Sequence, residues 1–177
     1  MNARNGEGSD LTGLTLAAIV LAMVAVALVP GRGKAVTPQQ QFGPLLARYC
    51  HLWTAAAQAD NPAVAASLYA KDAGLVFYGL GETEYHGWRA YGRGIKSALF
   101  DNAMSLRFTP SGDFEVTEKG HVAWTTASLH VAVTWNTGQQ QDFDAQQTAV
   151  WENRDGHWVI VHEHISSPVT LPAAVGS

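Results

Sequence analysis

The chain has 177 residues, with eleven Lys and Arg against fifteen Asp and Glu and a net charge of -4. The basic residues are scattered, which excludes the concentrated footprint that nucleic-acid binding needs. Hydrophobic residues make up 47% and charged residues 15%, enough apolar surface for one folded core. Cys50 is the only cysteine, so neither an intrachain disulfide nor a cysteine-based zinc site can form, and it reads as a buried structural thiol.

Leu11 to Val29 is a run of nineteen residues without a charge. A globular helix would show a polar face, and this run has none. Its length lies between the apolar stretch of a signal peptide and a full membrane span. Residues 1–35 therefore read as a signal peptide or a membrane anchor, which implies an exported or membrane-tethered protein. Ala25-Val26-Ala27 and Gly33-Lys34-Ala35 both offer small residues at cleavage spacing.

Thr37-Pro38 signals a helix start, and Gly43-Pro44 offers an alternative restart. Leu45, Leu46, Tyr49, Leu52, Trp53 and Ala56 then recur at helical spacing up to Asp60-Asn61-Pro62. Asn61 and Pro62 open a second short helix with Val64, Leu68 and Tyr69 inward. Leu75 to Tyr78 is a short strand, Gly79 to Gly81 a turn, and Glu84 to Gly87 leads into a third helix through Trp88, Tyr91, Ile95 and Leu99. Five strands are expected next: 104–109, 113–118, 121–135, 139–151 and 158–166. Asn136-Thr137-Gly138 and Arg154-Asp155-Gly156 mark hairpins. Helices followed by a meandering antiparallel sheet is an α+β order. The folded domain spans 36–168, followed by a loose tail at 169–177.

The last strand, Gly156-His-Trp-Val-Ile-Val-His-Glu-His-Ile-Ser-Ser-Pro168, follows a Thr-x-Val-Trp strand at 148–151. With Leu68-Tyr-Ala-Lys-Asp72 and Glu84-Tyr-His-Gly-Trp-Arg-Ala-Tyr91 upstream, the chain resembles the SnoaL-like branch of the nuclear transport factor 2-like superfamily. That superfamily also holds ketosteroid isomerase-like proteins and the association domain of calmodulin-dependent protein kinase II. The resemblance implies a cone-shaped fold, with N-terminal helices packed on a strongly curved antiparallel sheet around a pocket. It also implies pairing through the outer face of the sheet, hence a homodimer. The strand 121–135 carries apolar or aromatic residues on both faces, in keeping with burial on two sides.

The resemblance does not fix a chemistry, because this fold hosts isomerases, dehydratases, cyclases, epoxide hydrolases and modules without turnover. Enzymes of the fold hold a carboxylate or imidazole inside an apolar cone, which makes Glu163, Asp144, His130, His162 and His164 the candidate bases. Tyr49, Trp53, Tyr78, Trp124, Thr126 and Gln147 are the candidate pocket residues. In the kinase association domain arginines line the pocket; the matching positions here are Ala149 and Ile165, with Thr125 and Thr126 on the central strand. The implied ligand is a small, mostly uncharged hydrophobic molecule, either bound without turnover or acted on by acid-base chemistry; a dimeric assembly module is the third reading. Strict strand alternation puts Trp158, Ile160, His162, His164 and Ser166 on one face, and Val159, Val161, Glu163 and Ile165 on the other. The His162/His164 pair supplies two of the roughly four ligands zinc needs, so the imidazoles read as architectural. No metal and no cofactor is expected.

Overall fold

The computed structural model describes residues 36–80 and 84–168. The apolar run at 11–29 and the tail at 169–177 lie outside them. The chain divides into two units, 1–34 and 35–177, and the second carries the fold.

Helix α1 (Pro38–Gln58) opens with a capping box: Thr37 Oγ1 accepts from the Gln40 backbone, and Gln40 Oε1 accepts from the Thr37 N–H. It runs on through Pro44 rather than restarting there. Its buried stripe is Phe42, Leu46, Tyr49, Cys50, Trp53 and Ala56. The second short helix, Pro62–Leu68, is a 3-10 helix capped by Asn61.

Strand β1 (Val76–Tyr78) pairs with β2 (Glu84–His86), so Glu84 to His86 belongs to the sheet. Helix α2 (Gly87–Ala98) starts at Gly87, whose φ of +72° suits glycine, and a Cβ there would press within 3.3 Å of the Ala73 carbonyl oxygen. A short 3-10 turn, Phe100–Asn102, leads into β3 (Ala103–Lys119), β4 (Val122–Trp135), β5 (Gln140–Arg154) and β6 (His157–Ser166). Expected strands 104–109 and 113–118 are one strand, β3, with a register shift between Pro110 and Phe114. Asp155 and Gly156 both have positive φ and join β5 to β6 in a two-residue hairpin loop, the geometry such turns require.

The sheet order is β2-β1-β6-β5-β4-β3. All pairings are antiparallel except β1 with β6, which is parallel. The sheet is thus mixed, with β1 lying parallel beside β6 at Phe77/Glu163 and Tyr78/His164. The helices cover one face, and the core between the layers is rich in aromatics: Phe42, Tyr49, Trp53, Tyr69, Tyr91 and Trp151 are each at most 2% exposed.

One irregularity in β6 decides which side chains enter that core. Trp151 pairs with Ile160 and Val150 with His162, so β6 spends two residues where β5 spends one, and Val161 is a bulge. The alternation changes phase there. Trp158, Ile160, Glu163 and Ile165 are buried, while His162 is half-buried and His164 exposed. Strict alternation over 158–166 is therefore corrected: Glu163 shares the core face with Trp158 and Ile160, and the two histidines point the other way. No helix of the described residues is long and apolar enough to cross a membrane.

Candidate functional site

Glu163 is completely buried. It stands opposite Ala149 on β5 and Phe77 on β1, two core residues, and four elements bring polar groups to it. The Tyr69 hydroxyl, just after the first 3-10 helix, donates to Glu163 Oε2 at 2.8 Å, and the Tyr91 hydroxyl of α2 donates to the same oxygen at 2.7 Å. Gln147 Nε2 of β5 donates to Oε1 at 2.5 Å. Trp53 Nε1 of α1 donates to the Tyr69 hydroxyl at 2.9 Å. Tyr69 is fixed in turn by a bridge to Ile160 and by the Ala70 N–H donating to the Ile160 carbonyl.

No basic side chain is among the buried residues described, so the carboxyl has donors but no counter-charge. Burial pushes its pKa above the usual carboxylate range, against the pull of hydrogen bonds from Tyr91, Tyr69, Gln147 and Tyr49. The hydroxyls of Tyr49, Tyr69 and Tyr91 are held well above the ordinary phenol value, first by burial and then by the Glu163 charge. They remain protonated donors. Gln147 Oε1 is buried and has no partner among the described residues.

Beside this group lies a small cavity bordered by Tyr49, Trp53, Leu80, Tyr91, Phe108 and Ile165. Its volume of about 10 Å³ holds roughly one water molecule. Tyr49 and Trp53, one turn apart on α1, border it as wall residues, and Gln147 belongs to the carboxyl's own hydrogen bonds. The other expected pocket residues stand elsewhere. Trp124 is 41% exposed and Thr126 is exposed on the outer face of β4, because the inward residues of that strand are Thr125 and its alternates. Tyr78 packs edge-on against His162 and His164 and donates to Glu84 at 3.1 Å on that outer side.

The other candidate bases are also outside the cone. His130 and Asp144 face each other at 3.1 Å as an exposed pair. His162 Nδ1 lies 2.8 Å from the Val76 carbonyl oxygen, tying β6 to β1. Among the described residues no group of three or more His, Cys, Asp or Glu is arranged to hold a metal. Burial pushes the Cys50 thiol up to about 12, which makes it a packing residue rather than a nucleophile. Tyr69 and Tyr91 are the site residues that sequence reasoning set among the helix-facing positions only. The available signal was that a tyrosine in a buried helical stripe needs an acceptor for its hydroxyl.

The family of the SnoaL-like domain matches residues 46–170. The chain belongs to this family. Its fold is that of the nuclear transport factor 2-like superfamily, and three solved structures illustrate the likeness. A superfamily protein from Salmonella enterica shares 15% identity with a TM-score of 0.63, covering 78% of this SnoaL-like chain and 99% of its own. A Xanthomonas campestris protein, named as a candidate association domain of calcium/calmodulin-dependent protein kinase II, shares 22% identity, with a TM-score of 0.59 and coverage of 81% and 95%. A candidate aromatic ring hydroxylase from Novosphingobium aromaticivorans shares 15%, with a TM-score of 0.57 and coverage of 70% and 87%. At these identities the likeness is one of fold. None of the curated proteins compared with the chain matches it.

Proposed function

We propose that this SnoaL-like domain binds a small, mostly uncharged hydrophobic molecule inside the cone, with Glu163 and its tyrosines as the polar end of the site. The observation that carries this reading is a fully buried carboxyl, ringed by hydroxyl donors, beside a cavity whose walls are aromatic and aliphatic. Positions occupied by arginine in the kinase association domain are here Ala149 and Ile165, both buried, which fits a neutral ligand. Ligand pockets usually enclose roughly 300–1,000 Å³, so entry requires the cavity to open. Leu80, between β1 and β2, is one of the side chains that border it.

Acid-base turnover is a second reading, supported by the raised pKa of Glu163 next to the Tyr91 hydroxyl. A carboxylate whose pKa is raised is a stronger base than an ordinary one, and Tyr91 is a suitable donor to a substrate carbonyl. Export or membrane tethering through residues 11–29, and a homodimer on the outer face of the sheet around the exposed Trp124, complete the proposal.

The test uses neutral phenols and cyclic enones as probes in thermal-shift and NMR titrations of the full chain. Binding inside the cone should raise the melting temperature and shift the resonances of Tyr49 and Ile165. Probes that bind without touching those resonances would overturn the interior site. Turnover would appear as deuterium exchange next to the enone carbonyl that disappears in Glu163→Gln while probe affinity stays within about threefold; exchange that persists in that variant would remove Glu163 as the base.

A further inference from the structure

Helix α2 presents a second hollow on its other side, between it and the start of the first 3-10 helix. The hollow is open, encloses about 230 Å³, and is bordered by Pro62, Trp88, Arg89, Gly92, Arg93 and Lys96. Its floor is apolar. Gly92 makes the close approach of the two elements possible, since a Cβ there would meet Pro62 Cβ at 3.3 Å and the Trp88 ring at 3.6 Å. Arg89 and Arg93, four residues apart, stand on one helix face. Both are exposed, and neither has an ion-pair or hydrogen-bond partner among the described residues. Lys96, by contrast, is held by Asp60 at 2.5 Å and Asp101 at 2.6 Å.

An apolar floor with two unengaged guanidinium groups at its rim matches one kind of ligand. We propose that this hollow is a second binding site, outside the cone, for a small amphiphilic anion: a carboxylate or phosphate monoester carried on a flat apolar body. Guanidinium groups take such oxyanions through paired, directional hydrogen bonds, and the body lies against Trp88 and Pro62. The protein as a whole is negative, at -4, so the attraction is local to the arginine pair and weakens with salt. The hollow lies by the C-terminal end of α1, near Asp60.

Phenyl phosphate is the probe, titrated calorimetrically into the full chain beside phenol, inorganic phosphate and phosphatidylserine vesicles. The expected result is phenyl phosphate binding at least tenfold tighter than inorganic phosphate, with any phenol binding unaffected by replacement of the arginine pair. The pair Arg89→Gln/Arg93→Gln should lose at least tenfold in affinity with an unchanged circular dichroism spectrum, and Glu163→Gln should leave it unaltered. The proposal is overturned if the arginine pair can be replaced without loss, if inorganic phosphate binds as tightly, or if only vesicles bind. Should Glu163→Gln abolish binding while the arginine variant retains it, the probe sits inside the cone, and the outer site falls while the interior one stands.

Discussion

A carboxyl group surrounded by hydroxyl and amide donors with no cation is satisfied in hydrogen bonds but not in charge. Two substitutions separate these. Because the folded-state pKa of Glu163 is raised, the native state binds more protons than the unfolded chain between the ordinary carboxylate range and that raised value. Stability therefore falls as pH rises through this window. Glu163→Gln should abolish that slope and raise stability at neutral pH relative to the ionised carboxylate, read from urea melts between pH 4 and 8. The new amide nitrogen would meet Gln147 Nε2, so Gln147 must turn its amide over, and its Oε1, which has no partner among the described residues, then accepts the new N–H. Tyr91→Phe removes a donor from Oε2; it should cost about 1–2 kcal/mol and move the pH-sensitive window upward. Glu163 was one of five candidate bases in the sequence. Nothing in the residue types separates it from Asp144 or His130, since only the direction in which a strand residue faces does so, and that depends on register.

At the scale of elements, the helices were readable where their signals are local. The capping box at Thr37 and the turn chemistry at Asp155-Gly156 are written in four residues or fewer. The bulge at Val161 was not readable, because it arises from pairing between β5 and β6 and leaves no composition cue. The same holds for β2, whose three residues gain their strand conformation from pairing with β1. Close packing gives another expectation here. A Cβ on Gly94 would fall 2.0 Å from the Tyr85 ring, so Gly94→Ala must displace that ring from α2. The expected cost is about 1–3 kcal/mol, and adding Tyr85→Ser should recover part of it in a double-mutant cycle.

For the molecule as a whole, the family and its α+β cone were legible from three separated motifs, because fold depends on patterning that survives at low identity. The contents of the cone were less legible, since the same aromatic residues serve as wall, core or outer surface. Trp124 shows this: it is large and apolar, yet it is 41% exposed, as an association surface would require. If the outer face pairs two copies, Trp124→Lys should convert dimer to monomer in sedimentation velocity while leaving the thermal midpoint within a few degrees. The bulge has a further bearing on how such a domain changes over time. A single inserted residue acts as a phase shift in β6, putting a carboxylate inside and imidazoles outside. Loss of the Val161 codon would straighten β6 and leave Glu163 inside, whereas a one-residue slip of the strand beyond the bulge would turn Glu163 and Ile165 out and the histidines in. The acidity of the interior is thus held by the register of one strand as much as by the residue it carries.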